Sequence, residues 1–313
     1  MQADEVEIEA DSIAVIKLGG SVFKSPACYK RAANFLAQRL AENPTENLVA
    51  VVSAQNGETD ALLREALEIS AEPDEAALDL LWSTGELRSV ARLCLHLQAE
   101  GVRAAAFDVR QTGLRVEKRG ARVSQAKFDS WGIRNALRLC RAAVVPGFLA
   151  TDDAGKIVTL GRGGSDLTAV VIAAGLGASR CELIKDVAGY FSDDPHRCSE
   201  AKPLPLLSFA EALAMADKGC KLVQRDALEA AERWDVPLLV RSFDVRTAGT
   251  WVVRARPSTG VLLGSSLQSA ANSLHRQVGH ANFSKIQSAH ENQIQKENQN
   301  GICHQGHSRS TGS

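Results

Sequence analysis

The sequence predicts an α/β protein, a three-layer α/β/α sandwich around a mainly parallel sheet. Three observations predict it. Short apolar runs recur along the chain, stretches of helical period separate them, and several runs end in glycine, serine or a charged residue. Runs that are apolar on both faces suit parallel strands covered by helices. Right-handed crossovers then place helices on both sides of the sheet.

Residues 13–18 form the first apolar run, a buried strand that stops at Gly19-Gly20-Ser21. Residues 27–42 carry Cys28, Ala32, Phe35, Leu36 and Leu40 at helical spacing. Residues 47–53 read as a second buried strand, 59–69 and 75–99 as helices, and 102–107 and 143–148 as the third and fourth strands. Within 149–160, Asp152-Asp153-Ala154-Gly155 sits between short extended runs, the pattern of a hairpin. A glycine-rich stretch then opens a helix over 165–176. Residues 181–184, 237–241 and 250–254 complete the strands, and 208–218 and 221–234 the helices. No internal repeat is visible.

Composition narrows the function classes. The chain has 313 residues, 45% hydrophobic and 23% charged, enough to bury a sizeable core. A formal net charge of −1 argues against a general nucleic-acid binder, while leaving room for a local basic pocket. The seven cysteines include no CxxC pair and are odd in number, which points to free thiols in a reducing compartment. Residues 1–12 are an acidic extension without the apolar run of a secretory signal, and no stretch approaches the roughly 20 apolar residues of a membrane span. The expectation is a cytoplasmic enzyme with a small-molecule substrate and neither a nucleic-acid nor a membrane partner. The globular unit is expected over 13–267. Residues 268–313, rich in Gln, Asn, Ser, Gly and His, cannot bury enough surface to offset their ordering entropy and are expected to be a disordered tail. His275, His280, His290, His304 and His307 lie there, as solvated polar groups or as weak metal ligands.

Four segments can carry chemistry. In Lys17-Leu18-Gly19-Gly20-Ser21 a strand end exposes backbone N–H groups beside a lysine, suited to a phosphate, although Gly-Gly after a strand also makes an ordinary turn. In Thr159-Leu160-Gly161-Arg162-Gly163-Gly164-Ser165-Asp166 three glycines clear space at a helix start, and Arg162 can grip a carboxylate with two hydrogen bonds. The alternative is a glycine-rich loop with a plain N-cap. Residues 51–60, Val-Val-Ser-Ala-Gln-Asn-Gly-Glu-Thr-Asp, again run from strand end through a polar turn into a helix and include Ser53. Residues 186–195, DVAGYFSDDP, hold Asp186, Asp193 and Asp194, which could meet a magnesium–nucleotide complex or form a tight surface turn. Lys185 and Lys221 are further phosphate partners in that context, and solvated charges without it. Ligands of open parallel sheets collect at the carboxyl ends of strands, and three such ends here carry Gly, Ser, Lys and Arg. The GxxxxGK[ST] pattern is absent, and His96 and His196 lie in no recognisable catalytic pattern, which gives no support to a P-loop or a hydrolase.

In order along residues 13–256, these segments resemble the catalytic domain of the aspartate kinases, within the amino-acid-kinase superfamily. TLGRGGSD, Ser83-Thr84-Gly85-Glu86 and Pro146-Gly147-Phe148 match motifs of that family, and KLGGS, VVSAQNGETDALL, DVAGYFSDDP, Gly219-Cys220-Lys221 and VPLLVRS resemble others. The resemblance implies the amino-acid-kinase fold and ATP-dependent phosphorylation of the side-chain carboxylate of L-aspartate, with Mg²⁺ carried by ATP and no protein metal site. It implies catalytic roles for Lys17 and Asp166. It implies substrate contacts from Ser53, Glu86, Phe148, Arg162, Gly163, Gly164 and Ser165. Nucleotide contacts are implied for Lys17, Gly19, Gly20, Ser21, Lys185, Asp186, Phe191, Asp194, Pro195 and Lys221. A homodimer is the expected assembly. The sequence departs from the family where KLGGS is one residue shorter than KFGGTS, where Lys185-Asp186 replaces Thr-Asp, where His196 follows Asp-Pro, and where Val223-Gln224-Arg225 replaces Leu-His-Pro. The polar stretch after residue 267 leads to the expectation of no regulatory ACT domains and no feedback by lysine or threonine. These departures leave two other readings open: a related superfamily kinase acting on another small acid or phosphate acceptor, and a non-catalytic nucleotide-binding subunit.

Overall fold

The computed structural model describes residues 12–117, 126–161, 163–195, 197–243 and 248–255. Residues 1–11 of the expected extension, the expected tail 268–313, Arg162 and His196 lie outside the described residues.

Among the described residues, eight strands form the central sheet: β1 (Ser12–Leu18), β2 (Glu46–Val52), β3 (Ala104–Ala106), β6 (Ala142–Pro146), β9 (Arg180–Ile184), β10 (Leu206–Ser208), β11 (Leu238–Arg241) and β12 (Thr250–Val253). Their order is β10-β12-β11-β9-β1-β2-β6-β3, and every pairing is parallel except β11 with β12. A smaller sheet, β5-β4-β7-β8, contains β4 (Leu114–Arg115), β5 (Lys127–Phe128), β7 (Leu149–Thr151) and β8 (Ile157–Thr159). The expected hairpin is β7–β8, closed at Asp152 and Lys156.

Alternation along the strands divides the core between two faces. Val15, Val49, Val51, Ala143, Val145, Cys181 and Leu183 face one side, while Ala14, Ile16, Leu18, Leu48, Ala50, Val52 and Val144 face the other. Helices α1 (Ala27–Glu42) and α3 (Glu75–Ala99) cover the second face with Leu36, Leu40, Leu93 and Leu97. Helices α4 (Trp131–Leu137), α5 (Gly164–Leu176), α6 (Phe209–Asp217) and α7 (Arg225–Trp234) contribute to the first. Helix α2 (Glu58–Ile69) is amphipathic and packs on α3. Helix α5 is buried nearly all round, lying among the central sheet, the small sheet and α7. This is the three-layer arrangement read from the sequence.

The differences are local. Strand β1 opens at Ser12, one residue before the start read from the sequence. The fourth strand ends at Pro146, and Phe148 has φ 67°, outside extended backbone. Helix α7 starts at Arg225, not at 221, because Gly219 with φ 96° ends α6 and residues 220–224 run irregularly between them. Elements β4, β5, β10 and α4 were not read from the sequence; the strands are two or three residues long and show no period. Six cysteines fall within the described residues, and all six are free thiols.

Register fixes where the site forms. Leu18 pairs with Val52 and Ile184, and Val52 pairs with Pro146. Four adjacent parallel strands therefore end at one level, and the residues just past them are Gly19, Ser53, Gly147 and Lys185. Backbone bonds keep the rim in step: Ser53 N–H donates to Leu18 O at 3.1 Å, Gly147 N–H to Val52 O at 2.8 Å, and Lys185 N–H to Arg241 O at 2.8 Å.

Candidate active site at the strand ends

Lys17 follows the alternation of β1 and lies on the same face as Val15, toward α5. Lys185, two residues past Leu183 on the neighbouring strand, shares that face. Both lysines meet Asp166 in the first turn of α5: Lys17 Nζ is 2.7 Å from Oδ1, and Lys185 Nζ is 2.8 Å from Oδ2. Burial pushes the Asp166 carboxyl up, but the two ammonium groups outweigh it and hold the pKa at about 2. Asp166 is thus ionised at neutral pH and acts as a clamp holding two cations, not as a base. Burial lowers the Lys185 pKa, and Asp166 partly restores it.

The glycine loop sets this clamp in place. Gly163 caps α5 with φ 80°, a conformation that glycine adopts readily, and a β-carbon there would collide with Gln224 Cγ. Gly163 therefore lets the turn 220–224 approach the start of α5, and Gly164 lets Leu160 and Phe148 approach it. Ser165 sits against Gly147, where a β-carbon would lie 2.7 Å from Ser165 Cβ, and its Oγ accepts a hydrogen bond from Ser53 Oγ at 3.0 Å. Phe148 has a positive φ, costly for a side-chain-bearing residue. Its N–H donates to Thr168 Oγ1 at 3.2 Å, and its ring meets Trp82 edge-on at 6.1 Å.

Glu86 enters from α3. It is 3% exposed, and burial raises its pKa to about 8 against the lowering by the Ala54 N–H and the Lys17 charge. Among the described residues, its Oε2 has no hydrogen-bond partner. A buried carboxyl with a spare oxygen beside a lysine is a ready acceptor for a cationic group.

The structure therefore brings together Lys17, Ser53, Glu86, Phe148, Gly163, Gly164, Ser165, Asp166 and Lys185. Gly19, Gly20 and Ser21 continue from β1, the latter two in a 3-10 turn over Gly20–Val22. Asp186, Asp194, Pro195 and Lys221 are exposed, and Phe191 is half-buried in a bridge to Pro203. Asp194 O accepts from the N–H groups of Arg197 and Cys198, so this segment does form a tight turn. Among the described residues, no group of three or more His, Cys, Asp or Glu side chains is placed to hold a metal ion.

Sequence reasoning missed Asp79, Trp82 and Gln224. Asp79 is buried and accepts from Thr159 Oγ1 at 2.9 Å, linking α3 to the end of β8. The available signal was helical spacing: Asp79, Trp82 and Glu86 stand at i, i+3 and i+7 on one face of α3.

A strand-end clamp of two lysines on an aspartate, opposite a buried glutamate, suits a ligand carrying both phosphate and ammonium groups. Residues 12–242 match the amino acid kinase family. The chain belongs to that family. Among curated members, this amino acid kinase is 35% identical over 240 residues to an aspartokinase of Geobacillus stearothermophilus, covering 77% of this chain and 58% of the relative. It is 39% identical over 219 residues to an aspartokinase of Thermus thermophilus, covering 69% and 54%. The chain spans only a little over half the length of these curated relatives. Among solved structures, the aspartate kinase of Synechocystis superposes with a TM-score of 0.68 at 31% identity, over 81% of this chain and 41% of that one. Aspartokinase III of E. coli, in complex with aspartate and ADP, gives 0.64 at 27% identity, over 79% and 65%. The amino-acid-kinase fold expected from the motifs is thus the fold observed.

Proposed function

We propose that this amino acid kinase transfers the γ-phosphoryl group of ATP to the side-chain carboxylate of L-aspartate, yielding 4-phospho-L-aspartate and ADP. The observation that carries the reading is the Lys17–Asp166–Lys185 clamp facing the same rim as Glu86. The E. coli relative whose structure contains aspartate and ADP supports the choice of ligands.

An aspartate side chain is already ionised at neutral pH, so the nucleophile needs no general base. That agrees with Asp166 serving as a clamp. Catalysis then rests on positioning and charge neutralisation. Lys17 supplies positive charge, Lys185 faces the nucleotide, and Gly19, Gly20 and Ser21 supply backbone donors. Glu86 receives the substrate ammonium, and Arg162 grips its α-carboxylate. Ser53, Phe148, Gly163, Gly164 and Ser165 shape the acid pocket. Mg²⁺ bound to ATP neutralises phosphate charge. The exposed carboxylates of Asp186 and Asp194 would reach its water shell, while Phe191, Pro195 and Lys221 flank the nucleotide. The reading places the enzyme in the cytoplasm, in amino-acid biosynthesis.

The test is ADP release by the full chain with Mg-ATP, with and without L-aspartate. Aspartate-dependent turnover that falls about 100-fold or more in Arg162→Ala is expected, since a charged bidentate contact would be lost. Turnover with a different small acid would replace the acceptor. ATP binding without turnover on any acid would make the chain a nucleotide-binding subunit.

A further inference from the structure

We infer that Lys185 is a second catalytic lysine beside Lys17, whose ammonium group donates to the transferring phosphoryl group while Asp166 holds it. The inference rests on the kinase reading above and assigns a role within that site. Three observations lead to it. Lys17 and Lys185 occupy the same face of adjacent parallel strands, at the ends where the Gly19 and Ser53 rim opens. Each is anchored on a different oxygen of one carboxylate, at 2.7 and 2.8 Å, and their side chains are 9% and 12% exposed. Lys221, the other lysine of the candidate nucleotide side, is exposed and lies in the irregular turn 220–224.

The charges favour a phosphate. The Lys17–Asp166–Lys185 trio carries one net positive charge and is largely buried, while the Asp186 carboxylate that also acts on Lys185 is exposed to solvent. Each ammonium has three N–H donors, and the contact with Asp166 engages one on Lys185. The remaining donors are on a group whose position is already fixed, so no ordering cost falls on the reaction step. In the transfer, an oxygen of the acceptor carboxylate forms a bond to the γ-phosphorus. The bond from phosphorus to the β–γ bridging oxygen breaks, its electron pair stays on ADP, and no proton moves. Charge on the γ-phosphoryl oxygens is what a fixed lysine stabilises.

The experiment compares wild type with Lys185→Met, Lys185→Arg and Lys221→Met in the full chain. ATP and ADP affinities are measured by titration calorimetry with Mg²⁺ and no acceptor, and turnover is measured separately. Lys185→Met is expected to weaken ATP by about tenfold more than ADP, because a charge-assisted bond to the γ-phosphate is lost. It should also lower kcat by about 100-fold. Lys185→Arg should recover part of both, and Lys221→Met should weaken ATP and ADP alike. If Lys185→Met weakens both nucleotides equally, or keeps the wild-type kcat, the inference fails. Should Lys185→Met not fold, Lys185→Gln keeps a neutral donor to Asp166 and carries the same comparison. A wild type without aspartate-dependent turnover would overturn the acceptor assignment alone, since the ATP-to-ADP affinity ratio still decides the role of Lys185.

Discussion

Asp166 and Glu86 are both buried carboxyls near Lys17, yet burial and charge leave them in opposite states. Two lysines on Asp166 hold it at about 2, whereas the single Ala54 N–H and the Lys17 charge leave Glu86 at about 8. The consequences for stability run in opposite directions. The Asp166 contribution is present above the ordinary value of 3.8 and is lost as pH falls through about 2. The Glu86 contribution is full below 4.5 and is lost as pH rises through about 8, since ionising a buried carboxyl then opposes folding. Glu86→Gln, always neutral, should therefore match the wild-type melting temperature near pH 4 and exceed it at pH 9. Melting curves of the two proteins across that range test this, and parallel profiles would refute it. The same variant should raise the KM for the amino acid by about tenfold or more, since a bound ammonium favours the ionised form of Glu86 and glutamine cannot ionise.

Between elements, the decisive contacts join segments that are distant in the chain. Thr159 at the end of β8 donates to Asp79 on α3, so the strand feeding the glycine loop is tied to the helix carrying Glu86. Thr159→Val removes this buried hydroxyl donor, at a cost of about 1–3 kcal/mol. Thr159→Ser should restore most of it, as read by urea denaturation. A KM for the acid that rises in the valine variant and recovers in the serine variant would tie this bond to the site as well as to stability. Phe148 belongs to the same scale. Its positive φ is held by the Thr168 hydroxyl and the edge of Trp82, neither of which a motif reveals.

Across the whole molecule, a second charge network binds the layers away from the site. Arg39 of α1 donates to both oxygens of Glu46, at 2.6 and 2.9 Å, and to Glu182 at 2.5 Å. Arg180 bridges the same two glutamates, and Arg241 reaches Glu182 at 2.9 Å. Burial alone would raise the Glu182 pKa, but the three arginines hold it well below the usual range. Arg39→Met should destabilise the fold by about 3–5 kcal/mol, because removing one partner strands a buried charge. The loss should persist at high salt, as buried pairs are weakly screened, and denaturant melts at low and high ionic strength would show it.

The alternating layers and the rim of strand ends were legible in the sequence, because period-2 and period-3.6 patterns are local and long. The glycine loop was legible because Gly163 must turn through a positive φ immediately before a helix. The short strands β4, β5 and β10 were not, since two or three residues carry no period and their pairing is made by the rest of the fold. By itself the sequence determined the fold class, the set of residues at the strand ends and the family they belong to. Only the tertiary structure decided that Lys185 pairs with Asp166 while Lys221 stands in solvent, and that Asp79 anchors the loop. The reason is register: the pairing of Lys17 with Leu183 joins strands far apart in the chain, and no local pattern encodes which side chains that alignment brings face to face.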